Sequence, residues 1–367
     1  NTLKNHPSFA NEVLSPLLIG QHPFYAVTIC IMRKIIVDIM GGDNAPEAPL
    51  AAVSKAYHAS KELSFVLVGK KEIVEAYAKK EKWDASRVEI VDAQDVVTNE
   101  DHPATFLQVK PNSSLAVAFD QIAKRDDIDG MVSSGPTGAL LTGGIFKAKR
   151  LDGVKRPALI ATLPTKVNGQ MVRLVDAGAN MDSKPEYLVQ FALMADAYAK
   201  VLGIASPRIG LLNVGMEEGK GNELTKDVYA KLKAIPSLNF IGNVEGDKVL
   251  DGICDIVIAD GFAGNVFLKA TEGGAYFVKG LFTAALKRNI FSKFGVLFQL
   301  KGIKEAKKPF AAASSACAPL LGCRKLIVKC HGKADKDTLF SGILETARYA
   351  DEDLLGKISD AIASQAE

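Results

Sequence analysis

Six short segments rich in glycine and asparagine carry residue types suited to holding a small oxyanion. They are Asp38 to Pro46, Ser133 to Gly138, Asp176 to Asn180, Asn213 to Gly215 with Lys220 to Asn222, Gly242 to Glu245, and Asp260 to Asn265. Glycine allows close backbone approach and positive φ, while asparagine supplies neutral donors and acceptors. Any single segment of this kind serves a tight turn equally well. The six together are more telling, because each follows a short apolar run, and open parallel sheets bind ligands beyond the carboxyl ends of their strands. Three lysines add point charges to these segments. Lys184 precedes Pro185 at the start of a long helical pattern, Lys220 follows Asn213-Val-Gly215, and Lys269 lies one turn beyond Asn265. A lysine beside the free amides of a helix start completes an anion site without a metal; the alternative is that all three are ordinary solvated lysines.

The elements that must position these loops alternate between branched apolar runs and amphipathic stretches, the grammar of strands crossed over by helices. Strands are expected at Lys34 to Ile39, Ser64 to Val68, Val88 to Val91, Gly130 to Ser133, Leu159 to Leu163, Met171 to Asp176, Arg208 to Val214, Asn239 to Gly242, Ile256 to Ala259 and Leu326 to Lys329. Helices are expected at Pro49 to Ser60, Lys71 to Lys80, Leu115 to Lys124, Ala139 to Lys149, Pro185 to Leu202 and Thr225 to Lys233, with another opening at Gly264 to Gly273. Continuous rather than alternating Val, Ile and Leu runs point to strands covered on both faces. The fold class is therefore α/β, an open mostly parallel sheet flanked by helices, arranged as two lobes within residues 32–367.

Composition excludes several classes. The 367 residues carry 45 Lys and Arg against 42 Asp and Glu, a net charge of +3 that gives no ground for nucleic-acid binding. Five irregularly spaced cysteines fit a reducing compartment and hence a cytoplasmic location. The apolar run Val13 to Met32 is broken by Pro16, Gly20 and Pro23, so no membrane helix fits it. Residues 1–31 read as a leader or extension before Met32; a native arm packed on a partner is the alternative. Neither Gly-x-Gly-x-x-Gly after the opening strand nor Gly-x-x-x-x-Gly-Lys-Ser/Thr is present, which removes dinucleotide and P-loop chemistry. Asp38, Asp43, Asp176, Asp182 and Asp260 have no His or Cys pairs beside them, so neither a metal nor another cofactor is expected. Gly-x-Ser-x-Gly is absent. His331 is the histidine placed like a ligand or proton-transfer group, with local backbone capping as its alternative, and the adjacent Cys330 reads as a small buried apolar residue.

The motifs Ile36-Val-Asp-Ile-Met-Gly-Gly-Asp-Asn-Ala-Pro46, Asp176-Ala-Gly-Ala-Asn180, Lys184-Pro-Glu-Tyr-Leu188, Leu211-Leu-Asn-Val-Gly215, Lys220-Gly-Asn-Glu-Leu224, Asn239-Phe-Ile-Gly-Asn-Val-Glu245 and Asp260-Gly-Phe-Ala-Gly-Asn-Val266 occur in this order. So arranged, they resemble the bacterial phosphate acyltransferase (PlsX) family of phospholipid synthesis. The resemblance runs from about Met32 to the C-terminus. It implies conversion of acyl-[acyl-carrier-protein] and inorganic phosphate into acyl phosphate and free carrier protein. It also implies a homodimer with a fold similar to phosphotransacetylase and to isocitrate and isopropylmalate dehydrogenases. One departure stands out: where the family commonly has Ser-Ala-Gly-Asn-Thr-Gly-Ala, residues 133–139 read Ser-Ser-Gly-Pro-Thr-Gly-Ala. Pro136 supplies neither an amide side chain nor an N–H, so no ligand role transfers to it.

On this resemblance Lys220 and Asn265 are the expected catalytic residues. Gly41, Gly42, Asp43, Asn44, Asn180, Lys184, Asn213, Gly264, Lys269 and His331 are the expected substrate or phosphate binders. Phosphate is expected to attack the thioester directly, without an acyl-enzyme. Transfer between phosphate and coenzyme A, and a non-catalytic carrier-protein scaffold, remain the competing readings. A basic amphipathic helical insertion at residues 276–310 interleaves eight Lys and Arg with large apolar residues, among them Phe291, Phe294, Leu297 and Phe298. Such a segment suits an anionic membrane surface, the carrier protein or a second subunit.

Overall fold

The computed structural model describes residues 32–287 and 317–365, together with Gly302. Eleven strands form one sheet: β1 (Arg33–Asp38), β2 (Leu63–Gly69), β3 (Val88–Asp92), β4 (Gly130–Ser133), β5 (Ala158–Pro164), β6 (Met171–Val175), β7 (Arg208–Asn213), β8 (Asn239–Glu245), β9 (Ile256–Ile258), β10 (Ala318–Leu321) and β11 (Leu326–Lys329). Their order is β3-β2-β1-β4-β11-β10-β5-β6-β9-β7-β8. Pairing is parallel from β3 through β11 and again from β6 through β8. Between these blocks β10 and β5 are each antiparallel to both neighbours. The strands of the second block therefore run opposite to those of the first.

The helices are α1 (Glu47–Ala59), α2 (Lys71–Glu81), α3 (Phe106–Val109), α4 (Ser114–Lys124), α5 (Thr137–Gly143), α6 (Pro185–Val201), α7 (Glu223–Lys233), α8 (Gly261–Lys287), α9 (Lys336–Asp351) and α10 (Leu354–Ala363). Their starts follow from local chemistry. Ser113, Asn222 and Asp335 each accept a hydrogen bond from the amide three residues on, capping α4, α7 and α9. Pro185 opens α6 at its first position, where a missing N–H costs nothing. The helix expected at Ala139 to Lys149 is α5 followed by a π-helical turn, Gly144–Ala148. A Cβ on Gly143 would lie about 2.1 Å from the Phe119 ring, so only glycine lets this helix approach α4 so closely.

Side-chain alternation divides the apolar residues between the two faces of the sheet. One face carries a single core that crosses both blocks, from Ile35, Val37 and Phe65 through Ile160 to Ile209, Leu211 and Ile258, covered by α1, α6, α9 and α10. The other face carries two separate cores. Ile36, Val66, Met131 and Ile327 pack under α4 and α5, whereas Leu159, Val172, Leu174 and Val257 pack under the start of α8. The gap between these two half-cores lies over β10 and β5.

Helix α8 begins three residues earlier than expected and runs to Lys287, with Tyr276, Phe277, Leu281 and Phe282 exposed along its second half. The remainder of the 276–310 segment, including Phe291, Phe294, Leu297 and Phe298, lies outside the described residues, as do residues 1–31. No described helix is long and apolar enough to cross a membrane. Strand β10 was not foreseen. It brings Cys317 opposite Cys330, which are joined as a disulfide, so Cys330 is buried as expected but is not a lone thiol. Cys254 and Cys323 are free and buried.

Candidate functional site

Two buried aspartates at strand ends organise the loops. Asp38, at the end of β1, accepts from the Ser133 hydroxyl at 2.7 Å and from the Met40 amide at 3.2 Å. Ser133 in turn accepts from the Gly135 amide at 2.9 Å, so one carboxylate fixes the loops after both β1 and β4. Gly42 lies at φ +94°, and a Cβ there would sit 2.7 Å from that of Ser134. The Asp43 amide donates to the Gly332 carbonyl at 2.7 Å. Asn44 donates through Nδ2 to the carbonyls of Lys333 and Ala334 at 3.2 and 3.1 Å. His331 is exposed, and its Nδ1 accepts from the Lys333 amide at 3.1 Å. In a neutral ring that bond leaves the proton on the outward Nε2. The Ser134 hydroxyl is buried here with no partner among the described residues.

Asp176, just past β6, accepts five hydrogen bonds: from the amides of Leu159, Gly178, Ala179 and Asn180 at 3.0, 3.2, 3.0 and 2.7 Å, and from Asn180 Nδ2 at 2.9 Å. Burial pushes the carboxyls of both Asp38 and Asp176 up, against the hydrogen bonds that favour their charged forms. The start of α8 is seated directly on this loop. The Gly261 amide donates to the Asn180 carbonyl at 2.9 Å, and a Cβ on Gly264 would fall 2.0 Å from the Asp176 carbonyl oxygen. Asn265 lies against Gly178, whose φ of +123° is one that residues with side chains rarely adopt. No described residue hydrogen-bonds the Asn265 amide.

A third group sits at the ends of β7 and β8. Asn213 donates through Nδ2 to the Lys220 carbonyl at 3.2 Å and to Asn243 Oδ1 at 3.0 Å, and Asn243 donates to the Glu217 carbonyl at 2.8 Å. The Lys220 stem rests on Gly215, and its exposed ammonium has no carboxylate partner among the described residues. Lys184 is exposed at the N-terminal boundary of α6.

The sequence candidates thus fall into three clusters. Asp43, Asn44 and His331 share the carboxyl edge of the first block. Asn180, Gly264 and Asn265 share a seat at the end of β6. Lys220 and Asn213 lie on the same sheet edge as that seat, two strands or about 10 Å across. Within the described residues no hydrogen bond joins Lys220 to Asn265. Asn44, Asn180 and Asn213, expected to offer their amides to a ligand, spend them on loop carbonyls and side chains instead; they hold the loops in shape. The two half-cores part between β10 and β5. There Thr137 and Leu140 of α5 face Leu159, Ala179 and Ile327, with Lys329 among them. Sequence reasoning passed over Lys329 because it ends an apolar strand. The signal was a lysine two residues after Ile327, hence on the same face of β11.

Comparison with known proteins agrees with this architecture. A family profile described as "Fatty acid synthesis protein" matches residues 33–356. The phosphate acyltransferase of Thermoanaerobacter pseudethanolicus is 39% identical over 335 residues, which is 91% of this chain and 98% of that protein. The phosphate acyltransferase of Brevibacillus brevis is 40% identical over 88% of this chain and 95% of that protein. The chain belongs to the PlsX family of phosphate acyltransferases. Among solved structures, a phosphotransacetylase from Streptococcus pyogenes overlays with a TM-score of 0.56 at 16% identity, covering 87% of this chain and 94% of that one. The EutD phosphotransacetylase from Staphylococcus aureus gives 0.54 at 14% identity, with coverages of 87% and 94%. The phosphate acyltransferase fold and the phosphotransacetylase fold are thus the same open α/β arrangement.

Proposed function

We propose that this phosphate acyltransferase takes its acyl group from an acyl-[acyl-carrier-protein] thioester. An oxygen of inorganic phosphate attacks the thioester carbonyl carbon, and the resulting tetrahedral oxyanion collapses with cleavage of the C–S bond. Acyl phosphate and the carrier protein's thiolate leave, and the thiolate takes up a proton. Phosphate is already a competent nucleophile, so the protein's task is orientation and stabilisation of developing charge. The observation that carries this reading is the seat at the end of β6. There Asp176 clamps Gly178 to Asn180, α8 starts on that clamp, and the Asn265 amide is left unspent beside it. Lys220 supplies the positive charge from the end of β7, two strands away. His331, Lys184 and Lys269 take supporting roles in binding or proton handling.

The test is an assay with defined acylated carrier proteins and inorganic phosphate, trapping acyl phosphate as its hydroxamate. Product from the carrier thioester and little from acyl coenzyme A is the expected result. Preference for coenzyme A would replace this substrate assignment with a phosphotransacetylase-type one. Carrier binding without product would leave only a scaffold. The same reading includes a homodimer and contact of residues 276–310 with anionic lipid, exposed Tyr276, Phe277, Leu281 and Phe282 being the described part of that surface. Phe294→Asp and Leu297→Asp are expected to abolish co-sedimentation with anionic vesicles; unchanged binding would remove the membrane contact.

A further inference from the structure

We propose that the acyl carrier protein docks on a basic surface at the start of β5, beside the Asp176–Asn180 seat. The proposal rests on the carrier thioester assigned above and names where its protein part is held. Strand β5 is antiparallel to β6 and begins where β6 ends, with Ile160 opposite Val175. The residues just ahead of β5 therefore border the seat. Asn180 donates through Nδ2 to the Pro157 carbonyl at 2.8 Å, and the Leu159 amide donates to Asp176 at 3.0 Å. Arg156 precedes that proline, and its guanidinium lies 5.9 Å from the centre of the Tyr187 ring. The Tyr187 amide donates to the Lys184 carbonyl at 2.9 Å, which brings the start of α6 to the same place. Arg150 donates to the Lys155 carbonyl. Arg324, in the turn between β10 and β11, donates through Nε to the Arg150 carbonyl at 3.1 Å and through its amide to the Lys149 carbonyl at 3.0 Å. These contacts gather six cationic residues from three segments into one surface next to the seat.

Lys149, Arg150, Lys155, Arg156, Lys184 and Arg324 are all exposed. Among the described residues only Arg324 has a carboxylate partner, Asp152 at 2.6 Å. Asp182 and Glu186 are the other acids of these segments, so the surface keeps an excess of positive charge. The far side of the seat differs: the loops after β7 and β8 carry Glu217, Glu218, Glu245 and Asp247 around Lys220 and Lys248. A positive field on one side of a cleft steers an acidic partner there and fixes its orientation. A carrier protein presents acidic side chains around its acylated arm, and held here it places that arm beside Asn265. Lys149 adds an independent sign. Its backbone sits at φ +63° and ψ 166°, a region that glycine alone adopts freely, so a lysine kept there serves for its charge.

The experiment uses the full chain and measures both turnover of acylated carrier protein and binding of the unacylated carrier. The variant combines Lys149→Glu and Lys155→Glu, two exposed side chains whose reversal leaves the loop hydrogen bonds in place. It should raise KM for the acylated carrier by about tenfold and flatten its dependence on salt, with KM for phosphate and Tm unchanged. Lys79→Glu, an equal reversal on α2, should change none of these. Lys149→Gly should raise Tm and yet weaken carrier binding, a pairing that a merely structural lysine would not give. Unchanged carrier KM and affinity in the double reversal would overturn the proposal and leave the reaction standing. So would a loss of binding to anionic vesicles with carrier affinity unchanged, which would assign the surface to lipid. If the wild type makes no acyl phosphate from the carrier thioester while carrier binding still falls in the double reversal, the docking surface stands and the assigned reaction falls. A wild type that neither binds nor consumes acylated carrier would remove both.

Discussion

The two faces of the sheet are built differently. One carries a single core continuous from β1 to β7, with Phe191 and Ile343 completely buried in it. The other is divided, and every loop cluster of the candidate site borders its divided side or the strand ends beside it. The difference shows how a chain of ordinary composition places polar chemistry inside an apolar sheet. It leaves one side seamless for stability and interrupts the other where small residues such as Ala179 and a lysine replace packed side chains.

Matched substitutions test that contrast. Phe191 on the continuous face and Phe119 on the divided one are both fully buried, so each change to Ala should cost about 3–5 kcal/mol of stability in denaturant titration. Phe119→Ala alone should also raise substrate KM, because its ring sets the position of α5 through Gly143. Equal kinetics in the two variants would remove the distinction. Next in size, Lys220→Ala and Asn265→Ala should each lower kcat by about a hundredfold, roughly 3 kcal/mol, with Tm unchanged. Near-normal turnover would reject those roles.

A smaller effect has the opposite sign. Lys329 loses its proton near pH 8 in the folded chain but near 10.5 when unfolded, so the folded state binds fewer protons between these values and the penalty for the buried charge disappears as pH rises through them. In phosphate-free buffer Lys329→Met should therefore raise Tm by about 2–4 °C at pH 7, with the gain vanishing by about pH 10. A gain independent of pH would argue for packing instead. Smallest of all, Asn222→Ala should cost about 1 kcal/mol through loss of the α7 cap, while leaving the β6 seat untouched.

Both faces were legible in part: α4 and α5 on the divided face and α1 and α6 on the seamless one were readable, whereas α9 and α10 of the seamless face were not. Strand β11 and the first position of α6 were readable because an apolar run and a Pro mark them without ambiguity. The Gly- and Asn-rich loops that follow the strands were readable for the same reason. Strand β10 was hidden by Pro319 and by its four-residue length, and with it went the reversal of strand direction and the pairing of Cys317 with Cys330. Residue type predicted that Asn44, Asn180 and Asn213 hold polar contacts. It could not say which way their amides point, because those partners come from other strands. Asp38 and Asp176 were read as members of loop motifs and weighed as metal ligands, not as acceptors for the loop amides. An aspartate directly after an apolar strand, with glycine two or three residues on, was the available sign that it would gather the loop amides.

The junction of β10 with β5 is short, two paired positions at Leu320 with Leu159 and Leu321 with Ala158. It lies directly beneath the interruption in the divided core. A slab whose back is unbroken and whose front is slit over so narrow a joint bends more readily than it slides. Any change in the width of the slit would therefore be taken up at this one line, with the α5 side and the α8 side each keeping its own packing.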